Sequence, residues 1–160
     1  MSVQLPDKTR NALAITMREL FVSFIGTTPF ASGLIQIYDG SMPSSPNDPV
    51  PGGSTELAQF DIFSSSFSVP PTSSEVGLVE LINPLLDIDI DATGTASWFR
   101  VVNRTQPTRE TILQGTITLE GGGGDLEFDD VSFIEGRTAV IKVFNVQIPE
   151  ICEVPESASV

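Results

Sequence analysis

Apolar residues near the start of the chain recur at intervals of three and four, the spacing of one face of an α-helix. The sequence therefore predicts a helix over about residues 8–25, with Asp7 as its N-cap and Gly26 ending it. The apolar stripe of this helix consists of Leu13, Met17, Leu20, Phe21 and Phe24. A helix with such a stripe needs a partner surface. That surface is either a sheet of the same chain or a neighbouring subunit.

From Gly33 onward the period changes to two, the repeat of a β-strand. Turn-forming residues separate short apolar segments at fairly even intervals along the rest of the chain. One predicted strand runs from Gly33 to the turn at Asp39 and Gly40, and the others cover residues 55–63, 67–69, 76–82, 85–91, 95–103, 111–119, 125–128 and 139–148. This pattern predicts a mainly β fold, an antiparallel β-sandwich or jelly-roll-like structure with one N-terminal α-helix.

A segment rich in proline and serine, residues 41–53, interrupts the strand pattern, and we call it the proline loop. Proline has no backbone donor, so the segment is expected to run over the surface in extended form. A loop of this length is either a binding element or a poorly ordered excursion. If it binds, the candidate contact residues are Met42, Pro43, Pro46, Pro49 and Pro51.

The length of 160 residues predicts one domain, residues 8–148, between an N-terminal arm (1–7) and a flexible acidic tail (149–160). Extended arms can reach a neighbouring protein and add a strand to its sheet. The candidate contact residues of the tail are Ile151, Val154 and Pro155. Cys152 has no second cysteine to pair with and lies among glutamates, which disfavour a reactive thiolate.

Charge narrows the expected partners. With 21 acidic and 8 basic residues, the formal net charge is −13, which repels the phosphate backbone of nucleic acids. The first 20 residues carry no signal-peptide pattern and no apolar run is long enough to cross a bilayer, so we expect cytosolic synthesis and no membrane partner.

The residues of catalysis are sparse. The chain has no histidine, which removes the commonest general base and metal ligand. It also has no G-x-S-x-G motif, and we expect no enzymatic activity, no catalytic residue and no cofactor.

Two acidic clusters are candidates for cation binding. Asp87, Asp89 and Asp91 alternate with apolar residues and would share one face of a strand, which suggests a calcium hypothesis. The EF-hand glycine is replaced by Ala92, so we favour a solvated edge strand and predict no metal site. The second cluster follows Gly121, Gly122, Gly123 and Gly124, which we call the glycine turn; it consists of Asp125, Glu127, Asp129 and Asp130. We expect positive φ angles in that turn and a patch that is solvated, binds an ion or meets a basic partner.

Alternation around the single tryptophan places Trp98, Arg100 and Val102 on one face of a strand. An exposed Trp98 would suit sugar stacking or a protein contact. The favoured alternative is a buried Trp98 covered by the stem of Arg100, with carboxylates as the partners of the arginines.

Several of these segments together resemble a known family. ATGTASWFR (residues 92–100), IYDGSMP (37–43), GGGGDLEF (121–128) and IEGRTAV (134–140) resemble segments of small virion structural proteins of tailed bacteriophages. The resemblance covers most of residues 8–148.

The resemblance implies a capsid decoration or cement protein that binds the outer capsid lattice and stabilises it. It further implies a homotrimer, the major capsid protein as partner, and a place on the capsid exterior after synthesis in the host bacterial cytoplasm. The alternative is a tail, baseplate or head-fibre component that contacts host glycans, for which an exposed Trp98 or Tyr38 would be needed.

Overall fold

The computed structural model describes residues 2–21, 33–63, 65–68, 75–103, 110–149 and 151–153. Within these residues the fold is mainly β, with one helix and curled, antiparallel-rich sheets in a sandwich-like arrangement, as the sequence predicts. The helix α1 spans Asp7–Phe21. The strands are β1 (Ser2–Gln4), β2 (Gly33–Tyr38), β3 (Glu56–Ile62), β4 (Phe67–Ser68), β5 (Leu78–Leu81), β6 (Leu85–Asp87), β7 (Gly94–Thr95), β8 (Trp98–Asn103), β9 (Thr111–Leu119), β10 (Leu126–Phe128), β11 (Ser132–Phe133), β12 (Ala139–Ile141), β13 (Asn145–Gln147) and β14 (Ile151–Glu153).

The largest sheet has five strands in the order β10-β9-β8-β2-β3. Three further strands form the sheet β13-β5-β4, and the remaining strands pair as β12-β6, β11-β7 and β1-β14. One face of the five-stranded sheet carries Ile35, Ile37, Phe99 and Val101, which are fully or almost fully buried. These side chains share a core cluster with residues of β5, β6 and β12, which form the facing layer.

Helix α1 begins at the carbonyl of Pro6, which accepts hydrogen bonds from the amides of Thr9 and Arg10. Ala14 is its fully buried residue and belongs to the core cluster. On the same face, Arg10 Nε donates to the carbonyl of Ile148 over 3.1 Å. The helix therefore packs on the β layers of its own chain.

The predicted apolar stripe only partly faces this contact. Leu13 and Leu20 are 42% and 47% exposed, whereas Met17 is half-buried and packs against the core cluster. The small Ala14 lets the helix approach closely, and the long Arg10 donates hydrogen bonds to carbonyls, which no aliphatic residue could do. Phe24 and Gly26 lie outside the described residues.

The strand predicted for residues 85–91 is wrong beyond Asp87. The carboxylate of Asp87 accepts a hydrogen bond from the amide of Asp89 over 3.1 Å and turns the chain. Ile88 is therefore exposed while Ile90 is buried, although strict alternation would place both on one face. The predicted strands 95–103 and 139–148 each divide into two, β7 with β8 and β12 with β13.

The glycine turn connects β9 and β10, which pair in parallel, unlike the other strand pairs that the structure describes. A parallel connection ordinarily needs a dozen or more residues. Here a short connection suffices, because the chain returns along β9 only as far as Ile117, which lies opposite Leu126, the first residue of β10. Gly121 and Gly123 have φ angles of +79° and +78°, as predicted for this tight glycine turn.

The two chain ends pair with each other. Strand β1, in the predicted N-terminal arm, runs antiparallel to β14, in the predicted tail, with Ser2 opposite Glu153. Residues 151–153 thus form a strand where the sequence predicts a flexible tail, because a second terminal segment supplies their hydrogen bonds. Residues 154–160 lie outside the described residues.

A substitution at Gly115 tests how closely β9 packs on β8. A Cβ atom at this position would lie 2.8 Å from Phe99 Cε1 and 2.9 Å from Asp125 Cβ. We expect Gly115→Ala to lower the free energy of unfolding by about 1–3 kcal/mol, because the core must shift to admit the methyl group. Gly52→Ala is the control, since no atom lies within 4 Å of its Cβ position. Equal urea midpoints for the two variants would contradict this packing.

Candidate functional site

The second face of the five-stranded sheet carries a row of polar and aromatic side chains. Tyr38 lies opposite Trp98, Gln36 opposite Arg100, and Arg100 opposite Gln114. Residues that oppose each other in this way project from the same face. All of them are buried except Gln114, which is half-buried. The sheet therefore has two covered faces.

Trp98 is buried, with 1% of its surface exposed, which confirms the favoured interpretation. Its ring stacks on Tyr38 with centroids 4.3 Å apart and an interplanar angle of 14°. The guanidinium carbon of Arg100 lies 5.4 Å from the Trp98 ring centroid, which is within range of a cation–π interaction. Trp98 Nε1 donates to the carbonyl of Asp39 over 2.9 Å.

Arg100 is also buried, at 5% exposure, and its hydrogen-bond acceptors are neutral. Nε donates to Oε1 of Gln114 over 3.2 Å, and Nη2 donates to the carbonyl of Asp48 over 2.7 Å. No carboxylate of the described residues lies within ion-pair distance of Arg100, so its predicted partner is not found there, and a carboxylate of an adjacent subunit stays a prediction. Amide dipoles and an aromatic ring surround the charge instead.

These contacts hold the proline loop on the sheet. Arg100 binds the carbonyl of Asp48, and Gln114 Nε2 donates to the carbonyl of Pro43 over 2.7 Å. Within the loop, the Asp48 carboxylate accepts hydrogen bonds from the hydroxyl of Ser44 and the amide of Ser45, at 3.2 and 3.1 Å. The Asp48 amide donates to the Ser45 carbonyl over 3.0 Å, which closes a turn in the segment expected to be extended.

The candidate contact residues of the loop divide between two environments. Pro43 is buried, and its carbonyl accepts the hydrogen bond from Gln114; its expected role as a contact residue stays a prediction. Pro51 is half-buried, and its carbonyl accepts the amide of Ser54 over 2.9 Å. Met42 is 39% exposed, and Pro46 and Pro49 are exposed. The loop thus presents these three side chains outward from a fixed base.

The structure places the tail candidates elsewhere. Ile151 is the first residue of β14, where its backbone lies opposite Gln4 of β1. Val154 and Pro155 lie outside the described residues. No described contact joins the terminal ribbon of β1 and β14 to the proline loop.

The acidic cluster that follows the glycine turn makes hydrogen bonds to the chain itself. Glu127 accepts the amides of Gly121 and Gly123 at 2.9 and 2.8 Å. These two backbone donors, that of Gly121 first, lower the pKa of the Glu127 carboxyl. Asp125 accepts the amide and the hydroxyl of Thr116 at 2.8 and 2.9 Å.

The aspartates at 87, 89 and 91 are not arranged as a metal site. Among the residues that the structure describes, no group of three or more His, Cys, Asp or Glu side chains could hold a metal ion. Asp87 instead accepts the amide of Gln59 over 3.0 Å. Partial desolvation raises the pKa of Asp91, and the charges of Asp87 and Asp89 raise it further.

Sequence reasoning did not identify the residues that hold the loop. Period-two alternation marks Gln36 as polar but does not indicate that it is buried, and no sequence pattern singles out Gln114. Gln36 is buried, and its Nε2 lies 3.0 Å from each carboxylate oxygen of Glu56. A polar residue within a strongly apolar strand was the available signal, but its partners follow only from the strand register.

The geometry around Arg100 predicts a difference between arginine and lysine. Arg100→Lys keeps the charge but replaces the planar fork with a single ammonium, which cannot reach both Gln114 and Asp48 in the same way. We expect the free energy of unfolding to fall by about 1–3 kcal/mol and proteolysis within residues 44–50 to accelerate. The exposed Arg137→Lys is the control and should behave like the parent. If both variants match the parent, Arg100 does not hold the loop.

Glu127 predicts a pH dependence. Its pKa is lower in the folded than in the unfolded chain, so its contribution to stability is present above the unfolded pKa and is lost as pH falls through the folded pKa. We expect Glu127→Gln to unfold at lower urea concentration than the parent at neutral pH, and this gap to close as the pH falls through the lowered pKa of the folded state. Glu120→Gln is the control, because the Glu120 carboxylate makes no hydrogen bond with the described residues. A gap that persists in acid would contradict the assignment.

Comparisons with known proteins complete the description of the site. No family model, no curated protein and no solved structure matches the chain. Among the described residues, no helix has the length and apolar character needed to cross a membrane.

Proposed function

We propose that the chain is a structural protein of a tailed bacteriophage particle, of the decoration or cement type, which binds the outer capsid lattice and stabilises it. The proposed partner is the major capsid protein, and the proposed assembly is a homotrimer on the capsid exterior. This proposal starts from the resemblance of four segments of the chain to virion proteins. It includes no catalytic role and no cofactor.

One structural observation carries the proposal: the proline loop is fixed to a buried sheet face by Arg100 and Gln114. The loop presents Met42, Pro46 and Pro49 outward. A surface that is ordered before binding loses little conformational entropy when it binds. A protein that binds only the assembled lattice stabilises that lattice by mass action. The fixed loop is therefore suited to a cement function.

The charge of the chain supports a protein partner with a basic surface. A net charge of −13 favours encounter with positively charged proteins and disfavours nucleic acid. Several capsomers that meet at one point would present such a surface to each copy of the chain in the proposed trimer.

The alternative function, a tail, baseplate or head-fibre component that contacts host glycans, has less support. Its proposed aromatic platform depends on Trp98 or Tyr38, and these residues are 1% and 5% exposed. Their rings stack on each other, and the guanidinium of Arg100 lies over the ring of Trp98. A glycan site would therefore require a different surface.

The proposal predicts the abundance of the chain in purified particles of the phage that encodes it. We expect quantitative mass spectrometry to find a copy number of the same order as that of the major capsid protein, or a simple fraction of it. A handful of copies per particle would favour the tail or a fibre. Absence from the particle would refute the virion assignment.

Binding to the same particles, stripped of the chain, tests whether the proline loop makes the contact. Met42→Ser removes exposed apolar surface without adding charge, and we expect it to bind stripped particles about tenfold more weakly. Ile88→Ser is the control, because Ile88 is also exposed but lies outside the loop. Equal binding by both variants and the parent would move the contact away from the proline loop.

A further inference from the structure

Two adjoining cavities form a groove between the glycine turn and the chain segment 137–145. Their volumes are about 460 and 350 Å³. Phe128, Asp129, Val140 and Lys142 line both cavities, so this is where the two meet. No residue of the proline loop lines either one. The groove is therefore a separate surface from the loop.

The floor of the groove is apolar and closely packed. Phe128, Phe133 and Phe144 belong to the core, yet each lines the groove. The rings of Phe128 and Phe133 meet edge to face, with centroids 5.3 Å apart and planes at 87°. At the rim, Val143 is 64% exposed, and Val140 is exposed beside it. Covering such exposed apolar surface with a partner is favourable, because it removes that surface from water.

The charge of the groove changes along its length. The first cavity is lined by four carboxylates and one ammonium, which gives a net charge of −3. The carboxylates are those of Glu120, Asp125, Glu127 and Asp129, and the ammonium is that of Lys142. The second cavity is lined by two acidic and two basic residues, Asp129, Asp130, Arg137 and Lys142, and is neutral overall.

The acidic end keeps its charge. Lys142 pairs with Asp129 over 2.6 Å, so this ammonium is already occupied. Asp125 and Glu127 accept hydrogen bonds only from neutral donors of the turn and of Thr116. Among the described residues, no cation pairs with Glu120, Asp125 or Glu127. The carboxylates of Glu120, Asp125 and Glu127 thus lie outside the ion pair of Lys142 and Asp129, although the ammonium of Lys142 also attracts Glu120 at longer range.

Strand edges border the same groove. β10 is an outer strand of the five-stranded sheet, and β13 is an outer strand of the three-stranded sheet. Both contribute lining residues, Phe128 from β10 and Asn145 from β13. An edge strand can accept an extended peptide as an additional strand, in which main-chain hydrogen bonds supply affinity and side-chain pockets supply specificity.

We propose that this groove binds an extended segment of a partner protein in which a lysine or arginine lies next to an aliphatic residue. The cation faces the acidic end near the glycine turn, and the aliphatic side chain covers Val140 and Val143. An acidic segment is repelled, and so is a phosphate backbone. The inference does not rest on the proposed function, because it concerns a different surface and holds for any basic protein partner.

A pair of model peptides tests the chemistry of the occupant. The probe is a capped, fluorescently labelled octapeptide of alternating Lys and Val, with the Glu-Val octapeptide as its counterpart. We expect anisotropy titrations of the full chain at about 50 mM salt to show binding of the Lys-Val peptide alone, and about 200 mM salt to weaken it. Absence of Lys-Val binding at millimolar concentration, or equal binding of both peptides, would overturn the proposal.

Substitutions at and away from the groove test where the Lys-Val peptide binds. We expect Glu120→Lys to weaken the Lys-Val peptide about tenfold at low salt, because it reverses a charge at the rim. Glu110→Lys makes the same change in net charge beyond the opposite end of β9 and should have little effect. Val143→Ser removes apolar rim surface without changing charge and should also weaken binding. Equal losses for Glu120→Lys and Glu110→Lys would reduce the effect to general charge attraction and refute the groove.

Self-association is the competing occupant. Analytical ultracentrifugation of the parent and of Val143→Ser separates the two possibilities. If Val143→Ser abolishes a concentration-dependent oligomer, the groove is an interface between copies of the chain and the proposal falls. If the oligomeric state is unchanged while peptide binding weakens, the partner segment is supported. Particle binding by Met42→Ser is independent of both results, so failure here and failure of the proposed function can be told apart.

Discussion

A buried positive charge is the constraint on which the rest of the structure depends. Arg100 lies in the middle of a sheet whose two faces are both covered, and a charge removed from water must be surrounded by dipoles or opposite charge. Gln114, the carbonyl of Asp48 and the ring of Trp98 meet that requirement. The path of the proline loop follows from it, because the loop must return far enough to place a carbonyl against the guanidinium. Fold stability and the proposed interaction surface thus share one set of contacts.

The acidity of the chain has a structural as well as a surface role. Several carboxylates accept hydrogen bonds from backbone amides. The carboxylate of Asp39 accepts the amide of Thr55, that of Asp87 accepts the amide of Gln59, and that of Glu127 accepts the amide of Gly121 in the glycine turn. Such bonds satisfy donors that the short strands leave unpaired. Part of the excess negative charge is therefore needed by a fold with many tight turns. Other carboxylates, such as that of Glu120 at the groove, are exposed.

Local patterns were sufficient for features that depend on neighbouring residues. The fold class, the start of the helix near Asp7 and the strand at Thr111–Leu119 agree with the sequence analysis. Features set by distant partners were not predictable. Ala14 and Met17 pack on the core while Leu13 and Leu20 are exposed, and on the same side of the helix Arg10 donates to a carbonyl more than 60 residues away. Likewise, the proline content indicated a surface loop at residues 41–53, but Pro43 faces inward because Gln114, from another strand, binds its carbonyl. The groove could not be predicted either, because its lining residues come from strands of four different sheets.

The pairing of β1 with β14 brings the two ends of the described chain side by side, with Ser2 opposite Glu153. Closing so long a stretch of chain costs loop entropy that grows only with the logarithm of its length. The polypeptide therefore enters and leaves the domain at nearly the same point. A module of this geometry can be inserted within another polypeptide, or carry a second domain at either end, without separating the two attachment points.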